Sequence, residues 1–154
     1  MRSLFLALLV LALISACKTK TIVERPIDEY YFDGRTKFFK AIDLTAAIEK
    51  AEVLGKPLMV EFEADWCLPC KIMSEEVFTD SQVSTILNRD FLNYKLDVEK
   101  GSGPNMKFLY GVDILPTFIV MDSHGIEVLR NNGSLIQTEM ISYLNEALVL
   151  WKRP

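Results

Sequence analysis

A pair of cysteines placed directly after a short apolar run constrains the fold more than any other feature of this sequence. The run from Leu58 to Phe62 is bounded by turn residues and predicts a buried strand, although Glu61 is unexpected within it. The two cysteines, Cys67 and Cys70, stand where a helical spacing of apolar residues begins. The sequence therefore predicts two thiols at the N-terminus of a helix that follows a central strand.

This position predicts redox chemistry. Free N–H groups and the positive dipole end of a helix stabilise a thiolate at Cys67, and the thiolate is the form that attacks disulfides. Cys70 lies one turn further on and can displace a mixed disulfide from Cys67. Two alternatives are weaker. A zinc site would have only His124 and Cys17 as additional candidate ligands, and a purely structural disulfide that closes so short a loop would add little stability.

The rest of the chain alternates between helical and extended patterns. Apolar spacing and capping residues predict further helices that begin near residues 44, 81, 103 and 135. Extended patterns predict strands at 91–96, 117–121 and 126–129, with a leading strand near 37–41. Such alternation implies an α/β domain with a mixed sheet covered on both faces. Four aromatic residues are predicted to pack in or near its core, namely Phe38, Phe39, Phe91 and Phe108.

The first residues have the pattern of a secretion signal. Arg2 precedes an apolar run from Leu4 to Ile14, which is too short to cross a bilayer, and small residues then lead to Cys17. Residues 14–17 resemble the lipobox of bacterial lipoproteins, in which the signal is cut before a cysteine that receives lipid. An ordinary signal peptide with an incidental Cys17 is the alternative. We expect a lipoprotein signal peptide at 1–16, a lipidated N-terminus and tether at 17–35, and a folded domain at 36–154.

Two questions about the segment after Cys17 stay open. Tyr30, Tyr31 and Phe32 either belong to the tether or dock on the domain as an extra strand. In some bacteria, a residue other than Asp after the lipidated cysteine directs a lipoprotein to the outer membrane, so Lys18 favours the outer over the inner membrane. The preference is weak, because sorting rules differ between bacterial lineages.

The length and charge of the chain also limit its function. The whole chain has 154 residues, which fits one domain, and a formal charge of −4. That charge and the absence of a basic stripe argue against a nucleic-acid partner.

Residues from about 40 to 150 resemble the thioredoxin family. The resemblance is carried by the strand at 60–62, the turn at 64–71 with both cysteines, the segment 95–98 and the segment 110–117. It looks closest to periplasmic thioredoxin-like lipoproteins and to the C-terminal domain of the membrane thiol:disulfide interchange reductases. The resemblance implies a thioredoxin fold and thiol:disulfide oxidoreductase activity that needs no cofactor and no metal.

The resemblance also implies roles for individual residues. Pro116 would be a cis proline that faces the cysteines, with a trans proline at the start of a strand as the alternative. Glu61 falls where the family keeps a buried acid that relays the proton of Cys70, and Lys95 falls where it keeps the partner of that acid. Most thioredoxins have Asp there, so a simple ion pair with Lys95, or a water-filled edge around Glu61, is the alternative. The implied substrate groove comprises Trp66, Leu68, Pro69, Leu115, Pro116 and Thr117.

The residues between the cysteines predict the direction of electron flow. Leu68 and Pro69 supply neither a side-chain hydrogen bond nor a positive charge, so Cys67 should be less acidic than in a strong oxidant and the pair should be reducing. The implied partners are protein thiols and disulfides of the envelope, a membrane reductase that donates electrons, and the periplasm-facing lipid bilayer reached through Cys17. A disulfide oxidase or isomerase, and a peptide-binding assembly factor with idle cysteines, are the alternatives.

Overall fold

The computed structural model describes residues 29–152. The predicted signal peptide, Cys17, Lys18 and most of the predicted tether lie outside these residues. Within them, no helix combines the length and the apolar character that a membrane span requires.

The central sheet consists of four strands. The strands of the molecule are β1 (Tyr30–Asp33), β2 (Thr36–Phe39), β3 (Leu58–Glu63), β4 (Leu92–Asp97), β5 (Thr117–Met121) and β6 (Glu127–Asn132). The sheet has the order β4-β3-β5-β6, in which β3 pairs in parallel with β4 and antiparallel with β5. Strand β3 is therefore central, as its apolar sequence predicts, and the mixed sheet confirms the predicted fold class.

Helices cover both faces of the sheet. They are α1 (Leu44–Leu54), α2 (Leu68–Ile72), α3 (Ser81–Asp90), α4 (Gly103–Leu109) and α5 (Gln137–Trp151). Local signals set several of their ends. Asp43 accepts a hydrogen bond from the Ala46 N–H and caps α1, and Gly55 ends that helix in the left-handed conformation. The carboxylate of Asp80 caps α3 by accepting from two backbone N–H groups. These caps confirm the predicted helix boundaries.

One departure from regular helix follows the second cysteine. After α2 the chain makes a π-helical turn over Met73–Val77, in which the Phe78 N–H donates to the Met73 carbonyl at 2.9 Å. The helical spacing in the sequence predicts an ordinary continuation, since a π turn differs from an α turn in one inserted residue and leaves no distinct apolar pattern. The turn places Ser74 beside β4.

The core has two parts, one on each side of the sheet. On one side, Val60 and Phe62 of β3 pack with buried residues of α1 and with Cys67 and Cys70. On the other side, Met59 packs with Met73 and with buried residues of α3 and α5. The alternation along β3 directs Glu61 to the same side as Met59.

A hairpin formed by β1 and β2 lies against the edge of the domain next to β4. Its turn approaches Phe78 closely: the Arg35 N–H donates to the Phe78 carbonyl at 2.9 Å, and the Thr36 hydroxyl donates to the same oxygen at 3.2 Å. Gly34 has φ +58°, and a Cβ there would lie 2.8 Å from Thr79 Cγ2 and 2.9 Å from the Phe78 carbonyl. Of the two alternatives for residues 30–32, the structure has the docked strand, so the folded part begins earlier than the predicted boundary at residue 36.

The prediction is wrong for one of the four aromatic residues expected in or near the core. Phe38, Phe39 and Phe91 are buried, but Phe108 is 89% exposed. Met106 of α4 and Tyr110, the residue directly after it, pack against the core four residues apart on one face. Phe108 lies between them in sequence and therefore points outward. The apolar spacing of so short a helix does not predict which of its faces is buried.

Candidate active site

The two cysteines form a disulfide at the start of α2. Their sulfur atoms are bonded, and both residues are buried except for a small remainder of their surface. Cys67 is the N-cap of α2, and its Sγ accepts a hydrogen bond from the Cys70 N–H at 3.2 Å. The first cysteine thus stands at the free N–H groups of the helix, where a thiolate is favoured.

The segment that precedes β5 presents its backbone beside the disulfide end of the sheet. The Leu115–Pro116 peptide bond is cis. The Thr117 hydroxyl donates to the Ile114 carbonyl at 2.7 Å, and the Pro116 carbonyl accepts from the Gly133 N–H at 2.8 Å. Pro116 and Thr117 are buried, Leu115 is half-buried and Ile114 is exposed. Hydrogen bonds on both sides therefore fix the conformation of this segment.

Apolar side chains around the disulfide face solvent. Trp66 is 64% exposed and Leu68 is 65% exposed, and Pro69 is exposed as well. Trp66 is therefore not part of the buried core. Exposed apolar residues next to a reactive sulfur are suited to contact an extended peptide.

Glu61 is fully buried in the middle of β3. Its Oε2 lies 3.0 Å from the Lys95 Nζ, but neither of its carboxylate oxygens receives a hydrogen bond of good geometry from the described residues. Burial raises the pKa of Glu61 to about 7, because the loss of water outweighs the attraction of Lys95, and the negative charge of Glu63 raises the pKa further. A carboxyl group with this pKa can both accept and release a proton near neutral pH.

Lys95 lies at the centre of a larger cluster than a pair. Its Nζ lies 2.7 Å from Asp33 Oδ2 and 3.3 Å from Glu63 Oε2, in addition to its contact with Glu61. It also donates to the Ser74 hydroxyl at 3.2 Å, and that hydroxyl donates to Asp33 at 2.6 Å. Burial alone would lower the pKa of Lys95, but the surrounding carboxylates raise it above its ordinary value. The lysine therefore stays charged, and the arrangement is neither a water-filled edge nor a simple ion pair.

Sequence reasoning found Glu61 and Lys95 but missed the other members of this cluster. Asp33 comes from the hairpin and Ser74 from the π turn, and neither stands in a recognisable motif. Glu63 carries a signal, since it is the second acidic residue of β3 and so shares a face with Glu61. Tyr31 lies close by, and burial raises its pKa above the ordinary value.

Within residues 29–152, no group of three or more His, Cys, Asp or Glu side chains is arranged to hold a metal ion. His124 is exposed in the turn between β5 and β6.

The fold and the disulfide define a class of protein. A family model described as a thioredoxin-like domain matches residues 44–148. The chain belongs to this thioredoxin-like family, and with its Cys67–Cys70 pair it is a thiol:disulfide oxidoreductase.

Similar proteins point to one part of this class. The chain is 27% identical over 146 residues to the thiol:disulfide interchange protein DsbD of Yersinia pestis, in an alignment that covers 85% of this chain and 24% of that protein. It is 30% identical over 137 residues to the protein of the same name from Citrobacter koseri, which covers 82% and 22%. The chain thus spans about a quarter of the length of these relatives.

Solved structures agree with the fold. A thioredoxin from Thermus thermophilus has a TM-score of 0.63 and 28% identity, with 69% of this chain and 84% of that chain covered. A Bacteroides thetaiotaomicron protein named "putative disulphide-isomerase" has a TM-score of 0.59 and 36% identity, with 70% and 87% covered. The oxidised C-terminal domain of Neisseria meningitidis DsbD, with a TM-score of 0.57, 23% identity and 68% and 92% covered, shares the fold.

Proposed function

We propose that this chain is a thiol:disulfide oxidoreductase of the bacterial cell envelope that reduces disulfides in other proteins. The observation that carries the direction is the environment of the Cys67 sulfur, which within the described residues accepts one hydrogen bond, from the Cys70 backbone N–H. Leu68 and Pro69 add no charge or donor, so the thiolate is stabilised by the helix terminus alone. A moderately stabilised thiolate belongs to a reducing pair.

The first step is the attack of Cys67 on a substrate disulfide. The reduced chain holds a Cys67 thiolate, which forms a bond to one substrate sulfur while the substrate S–S bond breaks and its second sulfur leaves as a thiolate. The product is a mixed disulfide between Cys67 and the substrate. Cys67 is nearly buried, so the substrate reaches it along the exposed surface of Trp66 and Leu68 and pairs with the backbone of the Leu115–Thr117 segment.

The second step is resolution by Cys70. Its thiol gives a proton to the Glu61 carboxylate, and the resulting thiolate attacks Cys67 Sγ. The bond between Cys67 and the first substrate sulfur breaks, and that sulfur leaves as a thiolate. The chain ends as the Cys67–Cys70 disulfide, and the substrate has gained the electron pair. Glu61 suits this role because burial holds its pKa near neutral, and Lys95 is the cation that allows its charged form to exist inside the domain.

The chain must then be reduced again. A single domain with one disulfide generates no electrons, so an upstream dithiol has to supply them, and a membrane reductase is the proposed donor. The matches to proteins named thiol:disulfide interchange protein DsbD support this assignment.

The proposed location follows from the N-terminus. Cleavage after residue 16 and lipidation of Cys17 would attach the chain to a periplasm-facing membrane surface, the outer membrane in preference to the inner, with residues 18–28 as the remaining tether. Mass spectrometry of the chain recovered from bacterial membranes would test this. The expected product begins at a diacylated or triacylated Cys17, whereas an unmodified thiol at Cys17 would rule out the lipid anchor.

Isomerisation of wrong disulfides is a second candidate function. The Bacteroides thetaiotaomicron structure named for that activity is 36% identical to this chain. An isomerase must release its substrate before Cys70 completes reduction, so it works with a less reducing pair.

The redox potential of the cysteine pair tests the proposal. Residues 18–154 are equilibrated against dithiothreitol and glutathione buffers, and the Cys67–Cys70 state is read by thiol alkylation. We expect a value near the ~−270 mV of thioredoxin, whereas ~−180 mV would favour an isomerase and ~−120 mV an oxidant. Reduction of insulin disulfides by the reduced chain, with Cys67→Ser as the matched control, tests the activity itself.

A further inference from the structure

The polar cluster around Lys95 contains more acceptors than its ammonium group can serve. An ammonium group has three N–H donors. Lys95 has four oxygen partners within 3.3 Å, contributed by Asp33, Glu61, Glu63 and Ser74. Hydrogen bonds of good geometry go to Glu63 and Ser74, and the shortest contact is with Asp33. Glu61 is left with a charge contact and no hydrogen bond to either oxygen.

We propose that Asp33 is a positioning residue for Glu61: it draws the Lys95 ammonium away from an exclusive pair with Glu61 and so keeps Glu61 able to exchange a proton at neutral pH. This inference rests on the proposed function, in which Glu61 takes the proton of Cys70. Asp33 itself touches neither substrate nor the cysteines, and it acts through Lys95.

The position of Asp33 is fixed from two directions. It ends β1, directly before Gly34, whose close contact with Phe78 and Thr79 seats the hairpin turn on the domain. From the other side, the Ser74 hydroxyl donates to its carboxylate at 2.6 Å. Ser74 belongs to the π turn that continues the helix of the two cysteines, so the hairpin is linked to the active-site helix through a short hydrogen bond.

The other charged and titratable groups around the cluster do not replace Asp33. Glu63 also contacts Lys95, but at 3.3 Å against 2.7 Å for Asp33. Tyr31 is a neutral phenol at neutral pH, since its pKa is raised by burial. The negative charge of Glu63, and to a smaller extent that of Asp33, raises the pKa of Glu61, whereas Lys95 lowers it. Removal of the Asp33 charge therefore acts in one direction by two routes, because it removes a repulsion and releases the Lys95 ammonium from its shortest contact, so that the ammonium can move toward Glu61.

The thioredoxin-like family model does not include this residue. The thioredoxin-like model matches residues 44–148, and the hairpin lies before that range. Asp33 therefore lies outside the matched domain and reaches Lys95 through the docked hairpin.

The test is a titration of Glu61 in the full chain, purified in detergent with ¹³C-labelled glutamate. Its carboxyl resonance is assigned by its loss in Glu61→Gln. Asp33→Asn keeps the size of the side chain and removes the charge. We expect the midpoint of Glu61 to fall by about one pH unit in Asp33→Asn. The lower-pH limb of the disulfide-exchange rate should shift by the same amount, which a merely structural role of Asp33 would not produce.

The matched control is Glu29→Gln. Glu29 directly precedes the same hairpin, but it pairs with Lys50 at 2.8 Å and does not contact Lys95. Its replacement removes one negative charge nearby and should leave the Glu61 midpoint unchanged. An unchanged midpoint in folded Asp33→Asn, or an equal shift in both variants, would overturn the proposal.

A second variant covers the case in which Asp33→Asn does not fold. Asp33→Ser also removes the charge and should lower the Glu61 midpoint in the same direction. An unchanged midpoint in folded Asp33→Ser would refute the inference. Insulin reduction by the wild-type chain is scored separately, so loss of the proposed function and loss of the Asp33 effect are distinguishable.

Discussion

The two sides of the disulfide end of this domain have opposite chemistry. Toward solvent, the disulfide is bordered by apolar side chains such as Trp66 and Leu68, both about two-thirds exposed. In the interior, on β3 and β4, lie Glu61 and Lys95, the first with a fully buried side chain and the second with a nearly buried one. Ordinary globular domains bury apolar groups and expose charges. The inversion here is the arrangement that the proposed function requires, with an outer side for contact with a partner and an inner side for transfer of a proton.

Removal of the nucleophile tests whether the two sides serve one reaction. Cys67→Ser should lower the rate of insulin disulfide reduction by more than ~1000-fold, because no other thiol in the described domain stands at a helix N-terminus. Cys70→Ser should instead accumulate a mixed disulfide with the substrate, visible on a non-reducing gel. If Cys70→Ser traps nothing and Cys67→Ser does, the assigned order of the two cysteines is reversed.

Removal of the buried acid tests the inner side alone. Glu61→Gln preserves the shape of the side chain but cannot accept a proton, so the exchange rate at pH 7 should fall by about 100-fold. The mixed disulfide formed by Cys67 should still appear, since only its resolution needs the proton of Cys70 to leave. The matched control is Glu49→Gln on the exposed face of α1. A normal rate in Glu61→Gln would mean that water takes the proton directly.

The hairpin is the structural support of the inner side, and Gly34→Ala should loosen it. A Cβ at Gly34 would lie within 3 Å of Phe78 and Thr79 atoms, and φ is +58°. We expect a loss of about 3 kcal/mol in the free energy of unfolding, from strain and displacement together. Gly101→Ala is the control, since φ is +55° there and nothing lies within 4 Å of the added Cβ. It should cost only about 1 kcal/mol. Equal losses in urea denaturation would show that the hairpin turn makes no specific contact.

The pH dependence of stability measures the cost of the buried charge. Glu61 has a pKa of about 7 in the folded chain and 4.5 as a free side chain. Between these values the folded state holds a proton that the unfolded state has released, so the wild type loses stability as the pH rises through this window. Glu61→Gln carries no such proton. Its stability relative to wild type should therefore increase by on the order of 2 kcal/mol between pH 5 and pH 8.

Urea denaturation of the oxidised chain at several pH values checks this sign. Glu49→Gln serves again as the matched control and should follow the wild type across the range. A Glu61→Gln variant whose stability relative to wild type does not change with pH would mean that Glu61 titrates alike in the folded and unfolded states.

The contrast between the two sides also separates what the sequence predicts from what it does not. Most of the outer side is local, since Trp66, both cysteines and the residues between them stand within one short segment. The ends of α1 are likewise set by nearby residues, Asp43 and Gly55. The order of strands and helices follows from such local patterns. Glu61 and Lys95 were found through the family resemblance and not through periodicity.

The rest of the inner side depends on contacts between segments far apart in the chain. Asp33 reaches Lys95 only because a hairpin docks beside β4, and Ser74 reaches both because a π turn follows α2. No pattern of apolar residues encodes these distances. Phe108 is a related case. In a helix as short as α4, the spacing of apolar residues allows a buried face with Met106 and Tyr110 or a buried face with Phe108 equally well.

The smallest expected effect concerns the outer side. Ile114, which the sequence did not single out, is 55% exposed next to the Leu115–Pro116 bond. If this surface binds extended peptides, Ile114→Ser should raise the KM for a protein substrate by about threefold through lost apolar contact, with kcat unchanged. Its potential should also stay unchanged, because the side chain makes no hydrogen bond to the cysteines. Val53→Ser, 82% exposed on the distant helix α1, is the control and should have no effect. A change in kcat with KM constant would assign Ile114 to the chemistry instead of to substrate contact, and would move the boundary between the two sides.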